Sequence, residues 1–174
     1  MNMKSEQAYQ MEVDGQQVTI RPIESSDIGL EREFIDKLST QAKYYRFLGG
    51  VSHLSDRQLK ELCEIDFDHR MAFIASTIVN GQEEEIGVSR YAAEPGSDGC
   101  EFAVTIADQW QHKGLGTLLM HKLIEFAQQH QVKHLYSIDL ASNTHMRQLA
   151  HDLGMQEKRD PDDARQVIYS LELD

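Results

Sequence analysis

The sequence predicts an α+β fold, a three-layer arrangement in which helices flank a central, mostly antiparallel sheet. Stretches of alternating apolar and polar residues are separated by turn signals such as Asn80-Gly81 and Pro95-Gly96, which is typical of hairpins. Other stretches repeat apolar residues every three or four positions, which predicts helices. The 174 residues show no repeat or linker, so we expect a polar tail over 1–16 and a single domain over 17–174.

The elements of the first half follow from local signals. Residues 1–15 are polar and are expected to form a loose tail or a frayed turn, and Pro22 ends the first strand. Ser55 and Gln58 fit a capping box, with Leu54 and Leu59 placed as a hydrophobic staple at the start of a helix. The predicted elements are a strand over 17–21, helices over 26–38, 40–47 and 55–65, and strands over 71–79, 85–93 and 100–106.

The strongest helical pattern lies over 114–131, where leucines and Phe126 recur at helical spacing. A strand over 134–140 comes next, and a helix over 143–153 is stopped by Gly154. We expect the chain to close with a hairpin of strands over 155–159 and 166–173.

Composition narrows the class of protein. The formal net charge of −12 argues against a nucleic-acid partner, because such binding relies on clustered Lys and Arg, whereas an acidic surface suits amine substrates. No apolar stretch has the length of a membrane span, and the N-terminus lacks a signal-like apolar segment, so we expect a cytoplasmic protein without a membrane partner.

Cys63 and Cys100 fit no metal or redox spacing and are expected to be free thiols, in preference to a disulfide or a nucleophile. The eight histidines include no metal-ligating pattern, so no metal is expected.

A glycine-containing loop, Gln111-His112-Lys113-Gly114-Leu115-Gly116, lies between a strand and the strongest helix. Unpaired N–H groups and the positive end of a helix dipole favour an anion there, and Gly114 and Gly116 leave room for it. His112 and Lys113 are candidate additional donors. The loop matches neither a dinucleotide-binding fingerprint nor a Walker A motif, and a plain tight turn is the alternative interpretation.

The loop and its surroundings resemble the GNAT N-acetyltransferase superfamily, in which a Q/R-x-x-G-x-G/A loop joins a strand to a long amphipathic helix. As in that family, Asn143 opens a later helix that ends in Leu153-Gly154. The likeness is strongest to the acetyltransferase domain of bacterial protein lysine acetyltransferases, through the segments Leu38-Ser39, Tyr44–Gly49, Asp66–Asp68, Met71–Ala75 and Glu101–Val104. The resemblance implies a cleft between splayed strands that binds acetyl-CoA as the acyl donor.

The resemblance also implies roles for individual residues. Glu101 is the expected general base that deprotonates the amine, its alternative being a solvated strand residue. Asn143 is expected to contact the pantetheine arm, to cap its helix, or both. Ala150 stands where many relatives carry a Tyr that protonates the leaving thiolate. His145 is expected to be exposed on its helix, with an approach to the donor as the alternative. The expected donor-binding residues are Val104, Thr105, Ile106, Gln111, His112, Lys113, Gly114, Leu115, Gly116, Thr117 and Asn143.

Three functions remain open on this basis. The first is transfer of an acetyl group to a lysine of a protein, as the resemblance implies. The second keeps acetyl-CoA and changes the acceptor to a small amine such as a polyamine or an amino-sugar. The third is a non-catalytic acyl-CoA sensor. The sequence leaves the oligomeric state open, with a homodimer as one option.

Overall fold

Eight strands form one continuous sheet in the computed structural model, which describes residues 8–49 and 53–174. The strands are β1 Tyr9–Val13, β2 Gln16–Pro22, β3 Arg70–Val79, β4 Gln82–Ala93, β5 Gly99–Ile106, β6 His134–Leu140, β7 Gln156–Arg159 and β8 Gln166–Glu172. The helices are α1 Ile28–Lys37, α2 Thr40–Arg46, α3 Asp56–Cys63, α4 Leu115–Gln129 and α5 Thr144–Asp152. Short 3-10 turns at Ser25–Asp27 and Asp108–Trp110 precede α1 and α4.

The sheet runs in the order β1-β2-β3-β4-β5-β6-β8-β7. Every neighbouring pair is antiparallel except β5 and β6, which lie parallel because α4 carries the chain across one face of the sheet between them. The mostly antiparallel sheet predicted from the sequence is therefore confirmed.

The parallel pair of β5 and β6 is short. It extends only from Gly99 opposite His134 to Glu101 opposite Tyr136. Beyond this point β5 stays paired with β4 as far as Ile106, and β6 stays paired with β8 as far as Leu140. A gap therefore opens in the middle of the sheet, bordered by residues 102–106 on one side and 137–140 on the other.

Two apolar cores cover the two faces of the sheet. Alternation along β3 sends Met71 and Phe73 to the core that α4 and α5 cover, and Ala72 and Ile74 to the core beneath α1 and α3. Gly87 of β4 lets α4 approach the sheet closely, because a Cβ atom there would stand 3.0 Å from Leu119 Cδ1 and 3.0 Å from Ile106 Cδ1. The close approach fixes the beginning of α4 beside the gap.

Several local predictions are confirmed. Ser55 and Gln58 form the capping box of α3, and Leu54 and Leu59 are both buried against the same core. Gly154 follows α5 with a φ of 75°. Cys63 and Cys100 are free and buried.

The prediction of a tail over 1–16 is wrong for residues Tyr9–Val13. Residues Tyr9–Val13 form β1, which pairs with β2 across a tight turn at Asp14 and Gly15, both with positive φ. Asp-Gly is a hairpin signal, but β1 is an edge strand that buries only Val13, so its apolar pattern is weak. Residues 1–7 lie outside the described part of the chain.

Among the helices of residues 8–49 and 53–174, none has the length and apolarity needed to cross a membrane.

Candidate active site

The gap between β5 and β6 opens into a cavity of about 700 Å³. Its walls come from β5, the loop before α4, the first turn of α4, β6, and the facing surfaces of α2 and α5. The residues predicted from the sequence that line it are Glu101, Val104, Thr105, Ile106, Gln111, His112, Gly114, Leu115, Gly116, Thr117 and Asn143. The fold thus brings together positions that span more than forty residues of sequence.

Lys113 is placed differently from its neighbours. Its Nζ donates to Asp14 Oδ2 at 2.6 Å and lies 5.3 Å from the centre of the Trp110 ring, and the residue does not line the cavity. The lysine therefore ties the loop to the β1-β2 turn.

The loop presents backbone donors to the cavity. Gly114 adopts a φ of 81° and His112 a φ of 62°, which turns the chain sharply into α4. The first hydrogen bond within α4 is donated by Leu118 N to Gly114 O at 3.1 Å. The N–H groups of residues 115–117 precede this bond and belong to the helix end that carries a partial positive charge. Such an end suits a phosphate group.

Gly116 lines the cavity in the first turn of α4. A Cβ atom there would stand 3.5 Å from Leu149 Cδ2 and 3.7 Å from Ile106 Cγ1, which are ordinary contact distances. Packing within the protein therefore does not require glycine at this position. A side chain at this position would lie next to the N–H groups at the beginning of α4.

Two histidines flank the same end of the cavity. The rings of His112 and His145 lie edge to face with their centres 4.4 Å apart, one from the loop and one from α5. Both residues line the cavity. They add ring nitrogens to the backbone donors of α4.

Glu101 stands at the narrow end of the gap. It pairs with Ala92 on one side and with Tyr136 on the other, and its side chain is exposed. The neighbouring hydroxyl of Tyr136 donates to Glu94 Oε2 at 3.0 Å. Burial, this hydrogen bond and the nearby Glu101 carboxylate raise the pKa of Tyr136 to about 12. The carboxylates of Glu94 and Glu101 thus both act on the Tyr136 hydroxyl, and Glu101 alone of the two lines the cavity.

Asp139 is a cavity residue that the sequence analysis missed. It lies on β6 in the gap, and its Oδ1 accepts hydrogen bonds from Leu140 N at 2.8 Å and from Asn143 Nδ2 at 3.4 Å. Burial raises the pKa of Asp139 to about 6. The available signal was an acidic residue near the end of the strand, two positions after Ser137.

Asn143 caps α5 in the way its position predicted. Its Oδ1 accepts from Met146 N at 3.2 Å, while its Nδ2 donates to Asp139. Ala150 is buried in the core, so the side chain at this position supplies no acid to the cavity.

Arg46 is a second cavity residue that the sequence analysis gave no role. It is the last residue of α2, it is half-buried, and it faces the gap from the side of Glu101. Burial and the nearby Arg90 guanidinium lower the pKa of Arg46 to about 10, which leaves it cationic at neutral pH.

Within residues 8–49 and 53–174, no three His, Cys, Asp or Glu side chains converge as metal ligands would.

Known proteins resemble this chain in sequence and in fold. The family described as acetyltransferase (GNAT) domain matches residues 17–156. A Pseudomonas aeruginosa protein named Acetyltransferase PA5475 is 44% identical over 160 residues, which cover 92% of this chain and 86% of that protein.

Solved structures share the fold at lower identity. The GNAT domain of S. lividans PAT superposes with a TM-score of 0.84 at 24% identity, covering 95% of this chain and 97% of that chain. The ribosomal-protein-S5-alanine acetyltransferase of Vibrio fischeri has a TM-score of 0.73 at 13% identity, covering 96% and 97% of the two chains. A GNAT-family acetyltransferase of Streptococcus pneumoniae has a TM-score of 0.71 at 18% identity, covering 90% and 99%.

Proposed function

The chain belongs to the GNAT acetyltransferase family, whose members transfer an acetyl group from acetyl-CoA to an amine, and we propose that its acceptor is a lysine side chain of a protein. In this proposal Glu101 is the general base. The single observation that carries it is that the exposed carboxylate of Glu101 lines the cavity at the narrow end of the gap.

The dimensions of the cavity support acetyl-CoA as the donor. A volume of about 700 Å³ lies within the range of ligand sites, and one end carries backbone donors while the other ends at Glu101. We propose that the pyrophosphate binds the amides of residues 115–117 with help from His112 and His145. The pantetheine arm then runs along Val104–Ile106 and past Asn143, and the thioester ends beside Glu101.

The reaction is then a direct attack. The acceptor ammonium first loses a proton, because a lysine with a pKa near 10.4 is otherwise not nucleophilic at neutral pH. Glu101 accepts this proton directly or through a water. The amine nitrogen forms a bond to the acetyl carbon, the carbon–sulfur bond breaks, and the thiolate leaves with the bonding electron pair. The nitrogen then gives its second proton to solvent, which leaves a neutral amide. A thiol has a pKa near 8.5, so solvent is able to protonate the thiolate without an acid at Ala150.

The test measures thiol release and acetyl-CoA binding for the wild type, Glu101→Gln and a control variant. Glu101→Gln is expected to bind acetyl-CoA with nearly unchanged affinity and to lose on the order of a hundredfold or more in turnover of a lysine peptide. Glu12→Gln, an exposed glutamate of β1, provides the matched control and is expected to turn over normally. Unchanged turnover in Glu101→Gln would remove Glu101 from this role.

Small amines are the second candidate acceptors, because the exposed carboxylate of Glu101 favours any cationic acceptor. A panel of polyamines, amino-sugars and lysine peptides separates the two enzyme functions. If acetyl-CoA binds but no amine yields free thiol, the chain is a sensor instead.

A further inference from the structure

The cavity of about 700 Å³ proposed to bind acetyl-CoA is called the donor cavity below. A second cavity of about 200 Å³ adjoins it at Glu101 and lies on the side away from β6. We call it the arginine pocket, because Arg46, Arg70 and Arg90 line it. Arg46, Glu101, Phe102 and Ala103 line both cavities, so the two meet where the reacting groups are expected. The remaining lining residues are Leu62, Ile65, Met71, Tyr91 and Ala92.

The charge of this pocket is opposite to that of the whole chain. The chain carries a formal charge of −12, yet three arginines line the pocket, and among the residues that the structure describes Glu101 is the one acidic residue that lines it. A local concentration of positive charge on an acidic protein selects an anionic group at that place.

The arginines differ in their partners. Both Nη atoms of Arg90 already have hydrogen-bond partners within the protein. Nη2 donates to Glu31 Oε1 at 2.9 Å, and Nη1 donates to Leu62 O at 2.8 Å. Arg70 is exposed and donates to the backbone oxygen of Glu61. Arg90 thus serves the fold, and Arg70 is partly engaged at the rim.

Arg46 has no such partner. Within residues 8–49 and 53–174, its guanidinium makes no hydrogen bond or ion pair, and its contact is the Phe47 ring at 5.1 Å. Burial of its charge costs free energy and Arg90 adds repulsion, and the nearby carboxylates of Glu31, Glu101 and Asp139, none of which pairs with it, offset this only in part, because the pKa of Arg46 stays lowered. A guanidinium with free donors at the entrance to a reaction centre is suited to bind a carboxylate.

We propose that Arg46 binds a carboxylate that the acceptor carries next to its reactive amine. This inference rests on the proposed function and specifies the class of acceptor. The amine lies toward the carboxylate of Glu101, and the acceptor carboxylate lies in the arginine pocket. In a peptide the carboxylate belongs to an acidic residue beside the lysine, and in a free amino acid it is the α-carboxylate. Polyamines lack this group and are poor acceptors.

The experiment compares matched acceptors by their kcat/KM for thiol release. The peptide arm uses the blocked tetrapeptides Ala-Glu-Lys-Ala, Ala-Gln-Lys-Ala and Ala-Arg-Lys-Ala, and the small-molecule arm uses alanine and alaninamide. The wild type is expected to prefer the carboxylate-bearing member of one arm on the order of tenfold over its neutral partner. The arm that shows the preference identifies the source of the carboxylate.

Variants of Arg46 connect the preference to this side chain. In Arg46→Gln the ratio of kcat/KM values is expected to fall to near one, and in Arg46→Glu the arginine peptide becomes the better acceptor. Arg46→Lys retains the charge and is expected to retain part of the preference. Arg57→Gln removes an arginine of α3 that pairs with Glu61 outside the pocket, and serves as the control with an unchanged ratio.

Folding and function are separated by two further readouts. Acetyl-CoA binding by each variant reports that the donor cavity is intact. Thiol release without a charge preference in both arms, or a preference that survives in Arg46→Gln, overturns the inference and leaves the proposed function standing. Absence of thiol release from every acceptor overturns the proposed function, and the inference with it.

Discussion

Glu101 of β5 and Tyr136 of β6 form the last pair of residues at which the two strands remain side by side. Immediately beyond this pair the strands diverge and the donor cavity begins. The candidate base therefore occupies a well-ordered position in the sheet, although its side chain is exposed. This arrangement combines a carboxylate on a paired strand with exposure to solvent, as the proposed role of Glu101 requires.

Gly116→Ala is expected to weaken acetyl-CoA binding on the order of tenfold, because the added methyl group occupies space beside the amides proposed to bind the pyrophosphate. The fold tolerates the change, since the new Cβ stands 3.5 Å from Leu149 Cδ2. Calorimetric titration with acetyl-CoA measures the loss, and thermal unfolding checks the fold.

The matched control is Gly29→Ala in α1, where a Cβ atom has nothing within 4 Å. Both changes place alanine in a helix, which favours helix formation by about 0.5–1 kcal/mol. Equal acetyl-CoA affinities in the two variants would show that the space at Gly116 is not used by the donor.

Asp139→Asn is expected to stabilise the unliganded protein at neutral pH. Burial raises the pKa of Asp139 to about 6 from an ordinary value of 3.8, so the folded protein pays a penalty when this carboxyl ionises. The penalty is complete above pH 6 and fades as the pH falls toward 4. The variant is expected to gain about 3 kcal/mol at pH 7.5 and about 1 kcal/mol at pH 4.5 relative to the wild type.

Urea unfolding of both proteins at the two pH values measures this difference. The amide of asparagine retains an oxygen that accepts the Leu140 N–H, so the local hydrogen bond survives. A stability gain of the same size at both pH values would contradict the assignment to ionisation of Asp139.

Glu85→Gln is expected to stabilise the protein increasingly as the pH rises. Glu85 is buried on β4, burial and the adjacent Glu31 carboxylate raise its pKa well above the usual value, and its oxygens meet no donor among the described residues. A proton held by Glu85 is able to bridge to Glu31, and the glutamine amide replaces that proton.

The sign follows from proton uptake. The unfolded chain releases this proton near pH 4.5 while the folded protein retains it, so the wild type loses up to about 1.4 kcal/mol of stability per pH unit that the variant retains. Unfolding free energies measured between pH 5 and pH 8 are expected to diverge. Glu84→Gln on the same strand is the control. If the unfolding free energies of Glu85→Gln and the wild type depended on pH in the same way, a proton held by the buried Glu85 would be excluded.

Local features of the fold were predictable from the sequence, because their causes are local. The capping box at Ser55, the stop at Gly154 and the pattern of α4 each depend on residues a few positions apart. β1 was missed because an edge strand with one buried residue carries little apolar signal. The gap after Glu101 was expected only through family resemblance, since it depends on where strands distant in sequence cease to pair.

The candidate site likewise contains residues whose positions follow from local motifs and residues that only the tertiary structure brings together. The loop before α4 and Asn143 carry recognisable motifs, so their positions around the cavity were predictable. Arg46, Arg90 and Glu101 come from three separate elements, and no sequence spacing indicates that they share one pocket. The charge that would select the acceptor is therefore a property of tertiary structure.

The short pairing of β5 with β6 also has a mechanical consequence. The strands β1–β5 form one unit and β6–β8 another, and three rungs of parallel pairing, from Gly99 to Glu101, join their backbones. Such a joint is suited to act as a hinge. We expect a donor bound between the two units to contact both of them, so that the departure of CoA would let the units move apart at the step that releases product.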